Sequence, residues 1–331
     1  MKTLFLIIFL AVSLYGRDLP INTENLEKAF EYSMSTGGQT FLVMYDGKII
    51  YEKYSNGGSS EKLQWLASGS KSFVGIVAVA AVEDGLIKLD DRVCEIIHKW
   101  KNDKLKSEIT YRHLLTLTSG FGPLKPDDFK NYTWDDLTEK PLISKPGEKF
   151  RYGGVHLNIF AYALQLILKN ETFEDYLKRR VIEPLNITLK WLLRCKDGNP
   201  QVAGGAFMTA WDWAKFGEFV RLNGKYGEKQ IIKEELIKEC FKGSDANPYY
   251  GLTWWLKSEN RSFYISDIVA LNWKKEISPN YIPSDLVAAC GAGGQRLYII
   301  PSLKLVIVRQ GNFQSRKKFI DSEFLKFIFG N

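Results

Sequence analysis

The stretch Trp65-Leu66-Ala67-Ser68-Gly69-Ser70-Lys71-Ser72-Phe73 decides how this chain is read. It runs directly into Val74-Gly75-Ile76-Val77-Ala78-Val79-Ala80-Ala81-Val82, a segment apolar on every face. A helix of that kind belongs in a protein interior, and Gly85 just beyond it is a good stop. The spacing predicts a buried helix over 71–84 with Ser68 at its mouth. Residues three apart share a helix face, so the Ser68 hydroxyl falls beside the Lys71 amine. The helix start supplies N–H donors and a positive dipole end that favour a developing negative charge. Burial lowers a lysine pKa toward that of a usable base. The same residues also fit a plain helix cap, with Lys71 snorkelling to solvent.

The pattern S-x-x-K occurs three times, at Ser59/Lys62, Ser68/Lys71 and Ser315/Lys318. Context separates them. Ser59 follows the glycine loop Asn56-Gly57-Gly58, and Ser315 lies in a charged polar stretch; Ser68 alone opens an apolar helix. Further along, Lys145-Pro146-Gly147-Glu148-Lys149-Phe150-Arg151-Tyr152-Gly153-Gly154 sets a tyrosine on a glycine turn. Its hydroxyl could meet a nucleophile, or its ring could simply pack. Near the other end, Gly291-Ala292-Gly293-Gly294-Gln295 enters a strand. Glycines there permit close backbone approach to a ligand, or mark an ordinary bulge.

Around these segments the pattern is strand-rich at both ends and helical between. Residues 40–45 and 48–54 are β-branched and apolar runs separated by Asp46-Gly47, a hairpin signal. Residues 286–290, 296–300 and 304–309 read as strands, and 318–329 as a short amphipathic helix. Helical periodicity covers 158–169, 173–180 and 209–222, with Thr209 and Asp212 as a helix-start pair. The segment 122–149 reads as an irregular excursion. The expectation is an α+β protein, its antiparallel sheet built from both chain ends and flanked by helices, with a mainly helical lobe inserted between. Residues 14–75 and 205–331 form the sheet domain in this reading, and 76–204 the helical one.

These pieces resemble the serine β-lactamase and penicillin-binding-protein superfamily, in particular the class C β-lactamase-like branch with its esterases, D-aminopeptidases and amide hydrolases. Supporting phrases are Thr110-Tyr111-Arg112-His113-Leu114-Leu115-Thr116-Leu117-Thr118-Ser119-Gly120, Lys145 to Phe150, Gly204-Gly205-Ala206-Phe207-Met208-Thr209-Ala210 and Gly293-Gly294-Gln295. The resemblance implies a β-lactamase/transpeptidase-like fold. It also implies a serine hydrolase in which Ser68 attacks an acyl carbonyl, with Lys71 and Tyr152 handling protons. It gives the oxyanion hole to the backbone N–H groups of Ser68 and Gln295, and substrate contacts to Gly154, Ala292, Gly293 and Gly294. No metal or organic cofactor is implied. Two positions depart from the family pattern. Gly154 stands where the tyrosine–x–asparagine motif has its amide, and Ala292 replaces the K-T-G lysine. Both departures resemble the esterase- and amidase-like relatives.

The bulk numbers are ordinary for a soluble globular protein. At 331 residues the chain can bury a large core. The net charge of +7 comes from basic residues spread among acids rather than gathered on one element, which argues against nucleic-acid binding. Only three histidines occur, without H-E-x-x-H, which disfavours a zinc enzyme. Four isolated cysteines, Cys94, Cys195, Cys240 and Cys290, read as buried thiols. The apolar run from Leu4 to Val12 behind Lys2 reads as a signal peptide over residues 1–13, too short for stable membrane insertion. The product would be periplasmic or extracellular, acting on a small molecule or short peptide. A β-lactamase or D-Ala-D-Ala carboxypeptidase is the second enzyme reading. A catalytically silent binder of peptides or cell-wall fragments is the non-enzyme one.

Overall fold

A computed structural model describes residues 21–257, 281–313, 315 and 318–330. The expected signal peptide, and most of the loop after Lys257, lie outside the described residues. Asn22 caps helix α1 (Thr23–Ser35) by accepting from the Glu24 N–H at 2.9 Å. Strands β1 (Gly38–Tyr45) and β2 (Lys48–Tyr54) follow, turning at Asp46 and Gly47, both at positive φ. The remaining strands of the same sheet come from the far end: β3 (Trp255–Leu256), β4 (Val287–Gly291), β5 (Gln295–Ile300) and β6 (Leu305–Gly311). Their order is β2-β1-β6-β5-β4-β3, and every neighbouring pair is antiparallel. The register sets Leu42 against Val308 and Tyr298 against Ala288.

Helices cover both faces of this sheet. Helix α4 (Ala210–Arg221) reaches one face through Gly217, where a Cβ would come within 2.6 Å of Val306 and 2.8 Å of Leu297. The other face takes helix α5 (Asp321–Phe329), whose Phe324 meets Phe41 edge-on at 5.2 Å. Between the chain ends run helix α2 (Lys71–Glu83), helix α3 (Val155–Leu168) and short turns of helix, including Tyr111–Leu115, Trp134–Thr138 and Phe173–Leu177. Helix α2 runs without a break through residue 75, the position at which the sequence reading divides the chain. Every residue from Lys71 to Ala81 is buried. Gly75 allows the Leu252 carbonyl to lie where a Cβ would approach it to 2.2 Å.

Several boundaries differ from the sequence reading. Helix α3 begins at Val155, three residues early, because Gly153 and Gly154 end the preceding turn. Helical pattern at 173–180 becomes a single α-turn followed by a π-turn over Lys178–Ile182. The excursion 122–149 contains a 3-10 turn, Pro126–Asn131, and the helix Trp134–Thr138, closed by a Thr133–Asp136 capping box. All four cysteines are buried free thiols.

Candidate active site

Ser68 lies in a 3-10 turn, Ala67–Ser70, that feeds into α2 at Lys71. Ala67 takes φ 47°, a left-handed conformation that costs an L-residue about 1–2 kcal/mol. Strain of this sort persists where the surroundings over-determine it, and here it sits one residue before the nucleophile candidate. The Ser70 hydroxyl stitches the turn together, donating to Ala67 O at 2.6 Å and accepting from the Ala206 N–H at 3.1 Å.

Lys71 is buried, and its Nζ donates to Ser68 Oγ at 2.9 Å and to the Ala203 carbonyl at 2.7 Å. Neither partner is an acid. Burial therefore acts uncompensated on the ammonium and pulls its pKa from 10.5 down to about 7. The alternative of a lysine snorkelling to solvent is excluded by this placement. The other S-x-x-K candidates behave differently: Lys62 is directed to Gly57 O, 2.8 Å away, on an exposed turn, and Lys318 is exposed.

Tyr152 completes the group. It lines the same cleft as Ser68, and its ring carries Lys71 Nζ 4.8 Å from the centroid. Trp255 and Tyr250 pack against the ring at 5.5 and 6.2 Å. Burial pushes the phenol well above its ordinary range, although the nearby Ser68 works the other way. So one partner of Ser68 is a weakened acid and the other a weakened base. Such divergence separates proton acceptor from proton donor.

The three groups open into a cleft of about 260 Å³. Pro123, Leu124, Pro126, Phe129 and Leu193 give it an apolar wall, and Trp65, Gly154, Ala203 and Ala292 border it as well. Among the described lining residues Lys71 is the one cation. Gly154 is packed tightly: a Cβ there would approach Phe129 Cζ to 2.8 Å and Ala203 Cβ to 3.0 Å. The Phe129 ring thus occupies the space an asparagine side chain would need. Asn158, unremarked in the sequence, holds the wall from behind. Its Nδ2 donates to Gly154 O at 2.8 Å, and its Oδ1 accepts from Trp134 Nε1 at 3.2 Å.

The glycine-rich segment before β5 makes a tight turn. Gly293 and Gly294 both take positive φ, 73° and 74°, and fold the chain back within three residues. Gln295 thereby has its side chain held behind the turn. Its backbone pairs with Gly291, and its side chain donates to Gly311 O at 2.6 Å while accepting from Gly311 N. A Cβ on Gly293 would face Phe313 and one on Gly294 Arg309, while Ala292 borders the cleft. At Gly291 a Cβ would meet Leu66 O at 2.1 Å and Gly69 N at 3.1 Å, which brings this turn against the Ser68 turn. The nearest cation in sequence, Arg296, points away into a buried pair with Asp321.

A serine turn, a buried lysine and a tyrosine between an antiparallel sheet and helices define a class. The family model described as Beta-lactamase matches residues 24–322, and the chain belongs to that family. Protein flp of Staphylococcus aureus is 25% identical over 186 residues, covering 50% of this chain and 37% of that protein. The chain thus matches well under half the length of that relative. Two solved structures share the fold at 20% identity each. One, described as a putative β-lactamase from Bacteroides dorei, has a TM-score of 0.75 and covers 94% of this chain and 100% of its own. The other, described as a putative 6-aminohexanoate-dimer hydrolase from Bacillus anthracis, has a TM-score of 0.73 with coverages of 90% and 79%.

Proposed function

We propose that this chain is an exported serine hydrolase that cleaves uncharged esters or amides through an acyl-enzyme on Ser68. The observation that carries the reading is the 2.9 Å contact between Ser68 Oγ and the buried, acid-free Lys71 amine. With its pKa near 7, Lys71 is substantially neutral at physiological pH and can accept the serine proton. Ser68 Oγ then bonds to the acyl carbon, and the carbonyl electrons move onto oxygen. That oxygen sits at the N–H groups of Ser68 and Gln295. As the tetrahedral carbon collapses, the bond to the leaving alcohol or amine breaks. The leaving group takes a proton from the Tyr152 hydroxyl, which is replenished by Lys71. Water repeats the sequence to release the acid.

The substrate preference follows from what the cleft lacks and what it contains. A carboxylate beside the scissile bond would find Ala292 where the family's K-T-G motif offers a lysine. Arg296 does not substitute, because Asp321 holds its guanidinium at 2.6 and 3.0 Å. The apolar wall at Phe129 and Leu124 favours a neutral acyl group, since a charge buried there would be unpaired. The test is a panel of nitrophenyl esters, D-amino-acid amides and nitrocefin, compared by kcat/KM. A neutral ester or amide should lead; nitrocefin in first place would return the chain to the β-lactamase reading.

A further inference from the structure

Two buried arginines grip the turn that carries Ala292 from the side opposite the cleft. Arg296 Nη1 donates to Gly291 O at 3.0 Å and to Gln295 O at 2.9 Å, the two ends of the turn. Arg309 Nη1 donates to Gly294 O at 2.8 Å. Glycines make room for this second guanidinium: a Cβ on Gly294 would lie 2.2 Å from Arg309 Nη1, and one on Gly311 2.6 Å. The arginines are themselves anchored. Arg296 forks onto Asp321 of α5 through Nε and Nη2, and Asp321 also accepts from the Tyr298 hydroxyl. Arg309 Nη2 donates to Ser33 O and Thr36 O at the end of α1, at 3.2 and 3.0 Å. Asp321 and Arg309 are fully buried, Arg296 nearly so.

A backbone whose carbonyls are tied behind it presents its remaining N–H in front. We infer that Asp321, Arg296 and Arg309 are positioning residues for the oxyanion hole: with Gly294 O tied back to Arg309, the trans peptide turns the Gln295 N–H the opposite way, toward the substrate oxygen in the Ser68 cleft. The inference rests on the acyl-hydrolase reading. It makes the short C-terminal helix part of the catalytic apparatus, although no residue of that helix touches the cleft. A donor held by fixed charges needs no rearrangement as the oxyanion forms, which is what makes such donors effective. The interactions act on the tetrahedral state, where charge appears on the oxygen, and little on the bound ground state.

The test is Asp321→Asn, which keeps the shape of the side chain and removes the charge that fixes Arg296. With folding checked by circular dichroism, kcat on a nitrophenyl ester should fall about tenfold or more, with KM changed less than about twofold. The inhibition constant of phenylboronic acid, which forms a tetrahedral adduct with the serine, should weaken in parallel. A folded variant with kcat and boronate affinity within about twofold of wild type overturns the inference, whatever its melting temperature. Should Asp321→Asn not fold, Arg309→Lys carries the same measurements and the same two outcomes. Fluorophosphonate labelling of the wild type separates the failures. An unlabelled Ser68 sinks the acyl-hydrolase reading and this inference with it, whereas a labelled Ser68 with unchanged variants sinks the inference alone.

Discussion

Lys71 Nζ stands 2.9 Å from Ser68 Oγ and 2.7 Å from the carbonyl oxygen of Ala203, two neutral acceptors for a buried amine. A charged lysine in such a setting is costly, and the protein retains it at the start of its most buried helix. Stability alone would favour an apolar side chain there, so the cost points to chemistry.

The pH dependence follows directly. Lys71 acts as base only when neutral, and its pKa is brought down to about 7 by burial. Tyr152 is shifted upward, beyond the ordinary phenol range. On a non-ionising ester, kcat/KM should rise with pH through an apparent pKa near 7 and stay level to about pH 9. A rising limb centred near the ordinary lysine value of 10.5 would show that burial does not tune the amine.

Replacing the amine should separate stability from activity. Unfolded Lys71 binds its proton more tightly than the folded residue, so the cost is full below about pH 7 and fades as the pH approaches 10.5. Lys71→Met should abolish turnover yet raise stability at neutral pH by on the order of 2–4 kcal/mol. Chemical denaturation at pH 7 and at pH 10 measures both the gain and its decline.

Gly154 should resist conversion to the asparagine of the family motif. Phe129 Cζ and Ala203 Cβ stand 2.8 and 3.0 Å from the position of an added Cβ, and both lie in a packed wall. Gly154→Asn should destabilise the fold by about 1–3 kcal/mol without creating β-lactamase activity. A melting curve and a nitrocefin assay on the same preparation decide it.

Ala292, exposed on the cleft rim, should by contrast accept a lysine. Ala292→Lys returns a cation to the cleft, and a charge-assisted hydrogen bond is worth about 1.5–3 kcal/mol, roughly tenfold or more. The ratio of kcat/KM for nitrocefin to that for nitrophenyl acetate should rise by at least about that factor. An unchanged ratio would mean that the missing cation is not what sets the preference.

Much of this was legible in the sequence because it was written locally. The apolar run behind Lys71, the Asp46-Gly47 turn and the Thr209 cap each state their structure within a few residues. Helix α1, absent from the expected elements, carries the same kind of signal, Asn22 before Glu24 with Leu26 and Ala29 on one face. What escaped depends on partners distant in the chain. The direction of Arg296 is set by Asp321, 25 residues on. The wall at Gly154 is set by Phe129, inside a segment with no periodic pattern. The turn ahead of Gln295 rests on two successive positive-φ glycines, whose tight reversal the letters Gly-Gly permit without specifying.

The central claim is that Ser68 is the nucleophile, and it is tested most directly by covalent capture. The protein would be treated with a fluorophosphonate, digested, and the modified peptide identified by mass spectrometry, alongside Ser68→Ala. The account predicts one adduct on the peptide containing Ser68, accelerated above pH 7, and neither adduct nor turnover in the variant. A label on another serine, or wild-type hydrolysis by Ser68→Ala, would contradict it.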